Sequence, residues 1–186
     1  MSVAEGSGPA PTGLALVGYR GTGKSTIGRR VARVLGWDFA DADLVVEARA
    51  GMSIQDIFKY VGEPAFRDLE AEVVAELTGL KRVVVATGGG AVLREESRRR
   101  LRSFGRVVWL TAEPATLADR LRWSVHKRPA LTAAGTVDEI ATVMAERLAL
   151  YREVSDVAIA TDGKTSAAVA EEVAAYFASA RGAPRC

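Results

Sequence analysis

The chain has 186 residues, 48% hydrophobic and 26% charged, which is the size of one domain and excludes a globally disordered or low-complexity polypeptide. Lys+Arg number 25 against 23 Asp+Glu, so a net charge of +2 gives no nucleic-acid footprint by itself, although most of the cations are Arg, suited to bidentate recognition of carboxylate or phosphate. A single cysteine, Cys186, and a single histidine, His126, exclude a disulfide framework and a thiolate or His-rich metal centre, and argue against a Ser-His-Asp triad.

Residues 1–13 are small and rich in Gly and Pro; they are expected to form a flexible tail, with neither the basic nor the apolar region of a signal peptide. No apolar run approaches the roughly 18 residues of a membrane span, so a soluble cytoplasmic protein is the expectation. Residues 14–186 are expected to form a single domain. Short apolar runs predict buried strands at Leu14–Gly18, Trp37–Ala40, Val83–Thr87, Val107–Leu110 and Val157–Ala160. Helical patterns fill the intervals: Ser25–Leu35, Leu44–Arg49, Ile54–Tyr60, Pro64–Leu77, Arg94–Ser103, Pro114–Trp123, Val137–Val154 and Ser166–Ala180. Repeated strand–helix units predict an open α/β fold on a parallel sheet with right-handed crossovers. The Gly/Ala/Thr-rich stretch Pro129–Thr136 reads as a surface loop.

After the first strand, Gly18-Tyr19-Arg20-Gly21-Thr22-Gly23-Lys24-Ser25-Thr26 matches G-x-x-x-x-G-K-[ST] and opens a helical pattern, the setting of a phosphate-binding loop. Glycines allow the backbone to turn its N–H groups onto phosphate oxygens, and the helix that follows adds the positive end of its dipole. Lys24 is expected on the β- and γ-phosphates and the Ser25 hydroxyl on Mg²⁺. The chain contains no Asn, hence no N-K-x-D base reader of a GTPase. Its middle strand runs into Gly88-Gly89-Gly90 rather than ending on the Asp of a motor or transport ATPase. A compact kinase of a small molecule or nucleotide remains.

The acceptor side is read from the ends of the other strands, where ligands of α/β sheets sit. Asp41 and Asp43 follow the second strand; one can hold a metal or its waters while the other orients and deprotonates a hydroxyl, the alternative being a solvated helix cap. Gly88-Gly89-Gly90 permits close approach of backbone to a ligand, or simply makes a tight turn. Arg67 lies one helical turn before Glu70, as an anion clamp with a supporting partner or as an ordinary surface ion pair. Arg128, with Arg120 and Arg122 before it, is a candidate lid arginine, and Arg147 a candidate anion contact, against the ordinary solvated role of helix arginines. The basic run Arg98-Arg99-Arg100 follows two Glu on the same helix and reads as a solvated face.

Taken together, GYRGTGKST, DAD, GEPAFRDLE, TGGGA, RPAL and ERLALY resemble the shikimate kinase family in order and spacing, from about Leu14 to near the C-terminus. The resemblance implies a P-loop NTPase of the nucleoside-monophosphate-kinase type: a three-layer sandwich with a five-stranded parallel sheet and a mobile lid at roughly 122–136. It implies transfer of the ATP γ-phosphoryl to the 3-hydroxyl of shikimate in chorismate and aromatic amino acid biosynthesis. In this setting Gly21, Thr22, Gly23, Lys24, Ser25 and Thr26 would bind ATP, with Arg120 against the adenine and Arg128 from the lid. Asp43 would bind the acceptor hydroxyl and act as base beside Lys24 and Arg128. Arg67 and Arg147 would grip the shikimate carboxylate, Gly89 and Gly90 would present backbone donors, and Glu70 would orient Arg67. Mg²⁺ would be held by Ser25 and Asp41. The expected partners are ATP and shikimate, with no nucleic acid and no membrane, and the expected state is a monomer. Another small acceptor, gluconate or a nucleoside monophosphate, or a non-catalytic ATP-binding module, are the alternatives.

Overall fold

Along β1 (Gly13–Val17) side chains alternate between two faces: Leu14 and Leu16 pack on one side of the sheet, Ala15 and Val17 on the other, and all four are fully buried. A strand buried on both faces has no polar side, which is why these segments read as unbroken apolar runs. The computed structural model describes residues 12–124 and 137–180, Trp123 and Ser124 as backbone only. Most of the expected tail, the lid stretch from 125 onward with His126 and Arg128, and Cys186 lie outside the described residues.

The elements follow as β1, α1 (Lys24–Leu35), β2 (Asp38–Asp41), α2 (Ala42–Ala50), α3 (Ile54–Asp56), α4 (Glu63–Leu77), β3 (Val83–Ala86), α5 (Glu95–Phe104), β4 (Arg106–Thr111), α6 (Pro114–Ser124), α7 (Val137–Val154), β5 (Val157–Ala160) and α8 (Ser166–Ser179). The strands form one parallel sheet in the order β2-β3-β1-β4-β5, with Ala15 opposite Val85 on one side and Val107 on the other. Helices α1 and α8 cover the Leu14 face, where Ile27, Val31, Val173 and Phe177 meet Val84 and Val108. On the Val17 face, residues of α2, α4, α5 and α7 pack against Val83, Val85 and Val107.

Most element boundaries lie within a residue or two of the expected ones, and two differences have a structural cause. Gly13 belongs to β1 rather than to the tail, because it pairs with Val83 and continues the ladder one residue outward. The helix expected over Ile54–Tyr60 has only one α-helical turn, capped by the Ser53 hydroxyl, and widens into a π-helical turn at Ile57–Val61 closed by the Gly62 N–H on the Ile57 carbonyl. The wider turn sends Ile57 into the core and Phe58 against Phe66, ring centroids 4.7 Å apart.

The chain runs from β1 outward to β2 and back to β3, then crosses β1 to reach β4. Between β1 and β3 the connections leave in opposite directions, which opens a crevice at the carboxyl ends of those strands. Thr87 ties the two ends together, its N–H and Oγ1 both donating to the Leu16 carbonyl at 3.1 and 3.2 Å.

Candidate active site

The loop after β1 turns through Gly18, Gly21 and Gly23, with φ of 141°, 85° and 90°, backbone angles that a Cβ makes costly. Gly23 is the N-cap of α1, and the cap makes no side-chain hydrogen bond; the first turn contains no acidic residue. The N–H groups of Lys24, Ser25 and Thr26 and the helix dipole are thus directed at the loop's own concavity, the arrangement of an anion site. Thr22 is buried and closes the loop from within, its Oγ1 donating to the Tyr19 carbonyl at 2.8 Å.

Lys24 folds back over the loop, where its Nζ donates to the carbonyls of Gly18 at 2.7 Å and Tyr19 at 2.8 Å. Burial lowers its pKa to about 8, against the opposing pull of Asp43 and Asp41. An ammonium in this position gains from a polyanion arriving above it.

Asp41 ends β2 and N-caps α2; its buried Oδ1 accepts from the Asp43 N–H at 3.1 Å. The helix cap considered for the pair is therefore real for Asp41, and it places Asp43 one step into α2, facing the turn after β3. A Cβ on Gly88 would lie 2.8 Å from Asp43 Oδ1 and 2.5 Å from Glu70 Oε1, so the absence of a side chain there lets two carboxylates close on the turn.

Glu70 is 2% exposed and supports Arg67: its Oε2 accepts from Arg67 Nη1 at 2.7 Å, while Oε1 has no hydrogen-bond partner. Glu63 accepts from Arg67 Nε and Nη2 at 3.1 and 2.9 Å, and the guanidinium lies over Phe66 and Phe58. Burial works against the Arg67 charge, and Glu70 and Glu63 outweigh it, holding its pKa above the usual value. Burial also raises the Glu70 pKa, with Arg67 opposing. A Cβ on Gly90 would fall onto the Arg67 guanidinium, so the glycine turn and the arginine are in direct contact.

From the other side α7 delivers Arg147, whose Nη1 donates to the Gly89 carbonyl at 3.1 Å, and Tyr151, whose hydroxyl donates to the same oxygen at 2.7 Å. Gly88–Gly90 thus lies between two arginines from different helices, with Asp43 and the phosphate loop beside it.

Arg120 sits apart, at the outer flank of the phosphate loop. It donates to the Gly21 carbonyl at 3.2 Å and to Thr161 Oγ1 and O at 2.9 and 3.0 Å, bridging the loop to the end of β5. Ser25 is half-buried and Thr26 exposed in the first turn of α1. Among the described residues the fold therefore gathers Lys24, Asp41, Asp43, Arg67, Gly89, Gly90 and Arg147 at one crevice with Arg120 at its rim. Arg128 lies outside the described residues. The sequence reading assigned no role to Tyr151 or Thr161. Tyr151 had a signal, since it stands four residues after Arg147 and so on the same helix face; Thr161 had none.

The family model described as shikimate kinase matches residues 20–178. A shikimate kinase of Symbiobacterium thermophilum is 44% identical over 161 residues, 86% of this chain and 92% of the relative. That of Nitrosococcus oceani is 46% identical over 158 residues, 85% and 83% of the two chains. Among solved structures, shikimate kinase from Acinetobacter baumannii in complex with shikimate superposes with a TM-score of 0.85 at 34% identity, covering 90% of this chain and 93% of that one. The family match spans most of the length, and these relatives align along most of both chains: the chain belongs to the shikimate kinase family.

Proposed function

We propose that this kinase transfers the γ-phosphoryl of ATP to the 3-hydroxyl of shikimate, giving shikimate 3-phosphate and ADP. The observation that carries the reading is the meeting of Arg67 and Arg147, from α4 and α7, on the Gly88–Gly90 turn beside Asp43 and Lys24. A small carboxylate with neighbouring hydroxyls suits two guanidinium forks, a glycine turn that admits close approach, and one carboxylate at hydroxyl height. A nucleotide acceptor would need a surface for its base.

Phosphoryl transfer needs little covalent help from the protein and much positioning and charge neutralisation. Asp43 accepts the proton of the attacking hydroxyl as its oxygen bonds to the γ-phosphorus; the bond from phosphorus to the bridging oxygen breaks, and ADP leaves with that oxygen. Lys24 and the N–H groups at the start of α1 stabilise the charge that develops on the phosphates. Arg128 is proposed to add a further cation, and Arg120 to flank the nucleotide base. The Ser25 hydroxyl and the Asp41 carboxylate are hard oxygen donors, and among the described residues no group of three or more His, Cys, Asp and Glu could cage an ion. That donor set fits Mg²⁺, which keeps waters and substrate oxygens in its shell. When bound, Mg²⁺ supplies neutralisation of the β- and γ-phosphate charge.

Among the described residues no helix is long and apolar enough to cross a membrane. A monomer working in the cytoplasm completes the reading. The test is ADP release with ATP and Mg²⁺ against shikimate, quinate, gluconate, AMP and CMP. Release with shikimate alone is expected; release with gluconate or a nucleotide instead would overturn the acceptor, and release with none would overturn the catalytic reading. Sedimentation at working concentration is expected to give the monomer mass.

A further inference from the structure

We propose that Tyr151 is a positioning residue of the acceptor site: its hydroxyl pins the Gly89 carbonyl against α7, and thereby sets the plane of the Gly89–Gly90 peptide and the reach of Arg147. The inference rests on the reading of this crevice as the place where the acid substrate is held.

Tyr151 is 2% exposed, and its ring stacks on Trp109 with centroids 5.5 Å apart and planes 14° apart. Its hydroxyl reaches across 62 residues of sequence to the Gly89 carbonyl at 2.7 Å. A peptide is planar and trans, so its N–H points opposite to its carbonyl. With the Gly89 oxygen held toward α7, the Gly90 N–H is aimed away from α7. A peptide between two glycines has no Cβ on either side to hinder its rotation, so its direction needs an outside anchor.

Arg147 donates to the same oxygen at 3.1 Å, but it is not a fixed anchor, because its guanidinium is the group expected to move onto an anion. The tyrosine hydroxyl carries no charge and has no reason to leave. Burial raises its pKa to about 12, with Arg147 opposing, so it stays a donor at any working pH. Packing does not fix the ring on every side: a cavity of about 190 Å³ borders it, lined among others by Tyr19, Trp109, Met144 and Leu148. Burial and the stack on Trp109 hold the ring, and the hydrogen bond adds the directional tie from α7 to the glycine turn.

Tyr151→Phe tests the proposal, since it keeps the ring and the stack on Trp109 and removes one oxygen. Loss of a buried hydrogen bond corresponds to about a three- to tenfold change in an equilibrium. The KM for shikimate is expected to rise by about that factor while the KM for ATP stays within about twofold. Amide hydrogen exchange across residues 88–91 is expected to quicken by a similar factor, with other segments unchanged. A lowered Tm with the shikimate KM and the exchange of 88–91 both unchanged would overturn the proposal and leave Tyr151 a packing residue. Equal increases in both KM values would overturn it too. The exchange readout uses no acceptor, so a wild-type chain that failed to phosphorylate shikimate would overturn the acceptor assignment while exchange still decided the role of Tyr151.

Discussion

Lys24 is a cation kept where its charge is disfavoured. Burial draws its pKa down from 10.5 to about 8, and the two carbonyls it donates to are neutral. Below pH 8 folded and unfolded chains both carry this proton and the cost of burying the charge is present in full. Between pH 8 and 10.5 the unfolded chain binds the proton more tightly, so the Lys24 contribution to stability improves as pH rises. A polyphosphate reverses the preference. ATP binding at pH 9 is expected to take up roughly one proton, seen by calorimetry in buffers of differing ionisation enthalpy. Lys24→Arg should abolish the uptake, since a guanidinium is already charged at that pH; unchanged uptake in the variant would place the proton elsewhere. Asp43 is tested by kinetics. General base catalysis contributes about 10²–10⁴-fold, so Asp43→Asn should lower kcat by at least about a hundredfold. Its ATP affinity should change little, and parallel losses in both would remove the residue from the base role. Lys24 stood out in the sequence through its local motif, whereas the base role proposed for Asp43 came from the family resemblance. The orphan Oε1 of Glu70 was not legible there, because burial is a property of the packed molecule.

At the scale of elements, α4 and the turn after β3 work as one unit. Arg67 and Glu70 are three residues apart on α4, a pairing that helical periodicity makes predictable. That Gly90 would press on the same guanidinium is a contact between segments far apart in sequence, and no local pattern announces it. Arg67→Ala removes charge-assisted bonds of about 1.5–3 kcal/mol and should raise the acceptor KM by roughly 10- to 150-fold, with the ATP KM little changed. Gly90→Ala should act in the same direction, because the added methyl displaces a guanidinium that Glu63 and Glu70 hold from two sides. An alanine at 90 with an unaltered acceptor KM would show that the guanidinium is free to move. The π-helical turn before α4 belongs to the same unit: it sets Phe58 beneath Arg67 and Ile57 in the core.

The molecule as a whole divides along the strand axis. Reactive groups collect at the carboxyl ends of β1, β2 and β3, and the opposite end is closed by structural contacts. Arg106, at the start of β4, is 7% exposed; its Nη2 donates to the Ala180 carbonyl at 2.8 Å, and Nη1 lies 3.7 Å from Asp156. Asp156 in turn accepts from the Val107 N–H at 2.6 Å, so one cluster joins β4, the entry to β5 and the end of α8. Arg106→Ala should cost about 1.5–3 kcal/mol, a Tm decrease of roughly 3–12 °C for a chain of this size. Both KM values should stay near wild type, because the cluster lies at the far end of the sheet from the crevice. A change in either KM would mean that the two ends are coupled. The family assignment adds the P-loop NTPase fold and a kinase activity to this division of the molecule.

By itself the sequence determined what short-range physics governs. Apolar runs marked every strand to within a residue or two, most plainly β1 and β3, where a strand buried on both faces tolerates no polar position. Helices followed from periodicity, and the phosphate loop from glycines whose spacing the backbone geometry requires. The tertiary structure decided what depends on residues meeting across the chain. The order β2-β3-β1-β4-β5, and with it the crevice, comes from which strands pair, and parallel partners are distant in sequence. The bridge from Arg120 to Thr161 and the joint hold of Arg147 and Tyr151 on Gly89 have the same origin. A hydrogen bond between segments packed together by the core leaves no periodic trace in either segment, so it becomes visible only when the chain is folded.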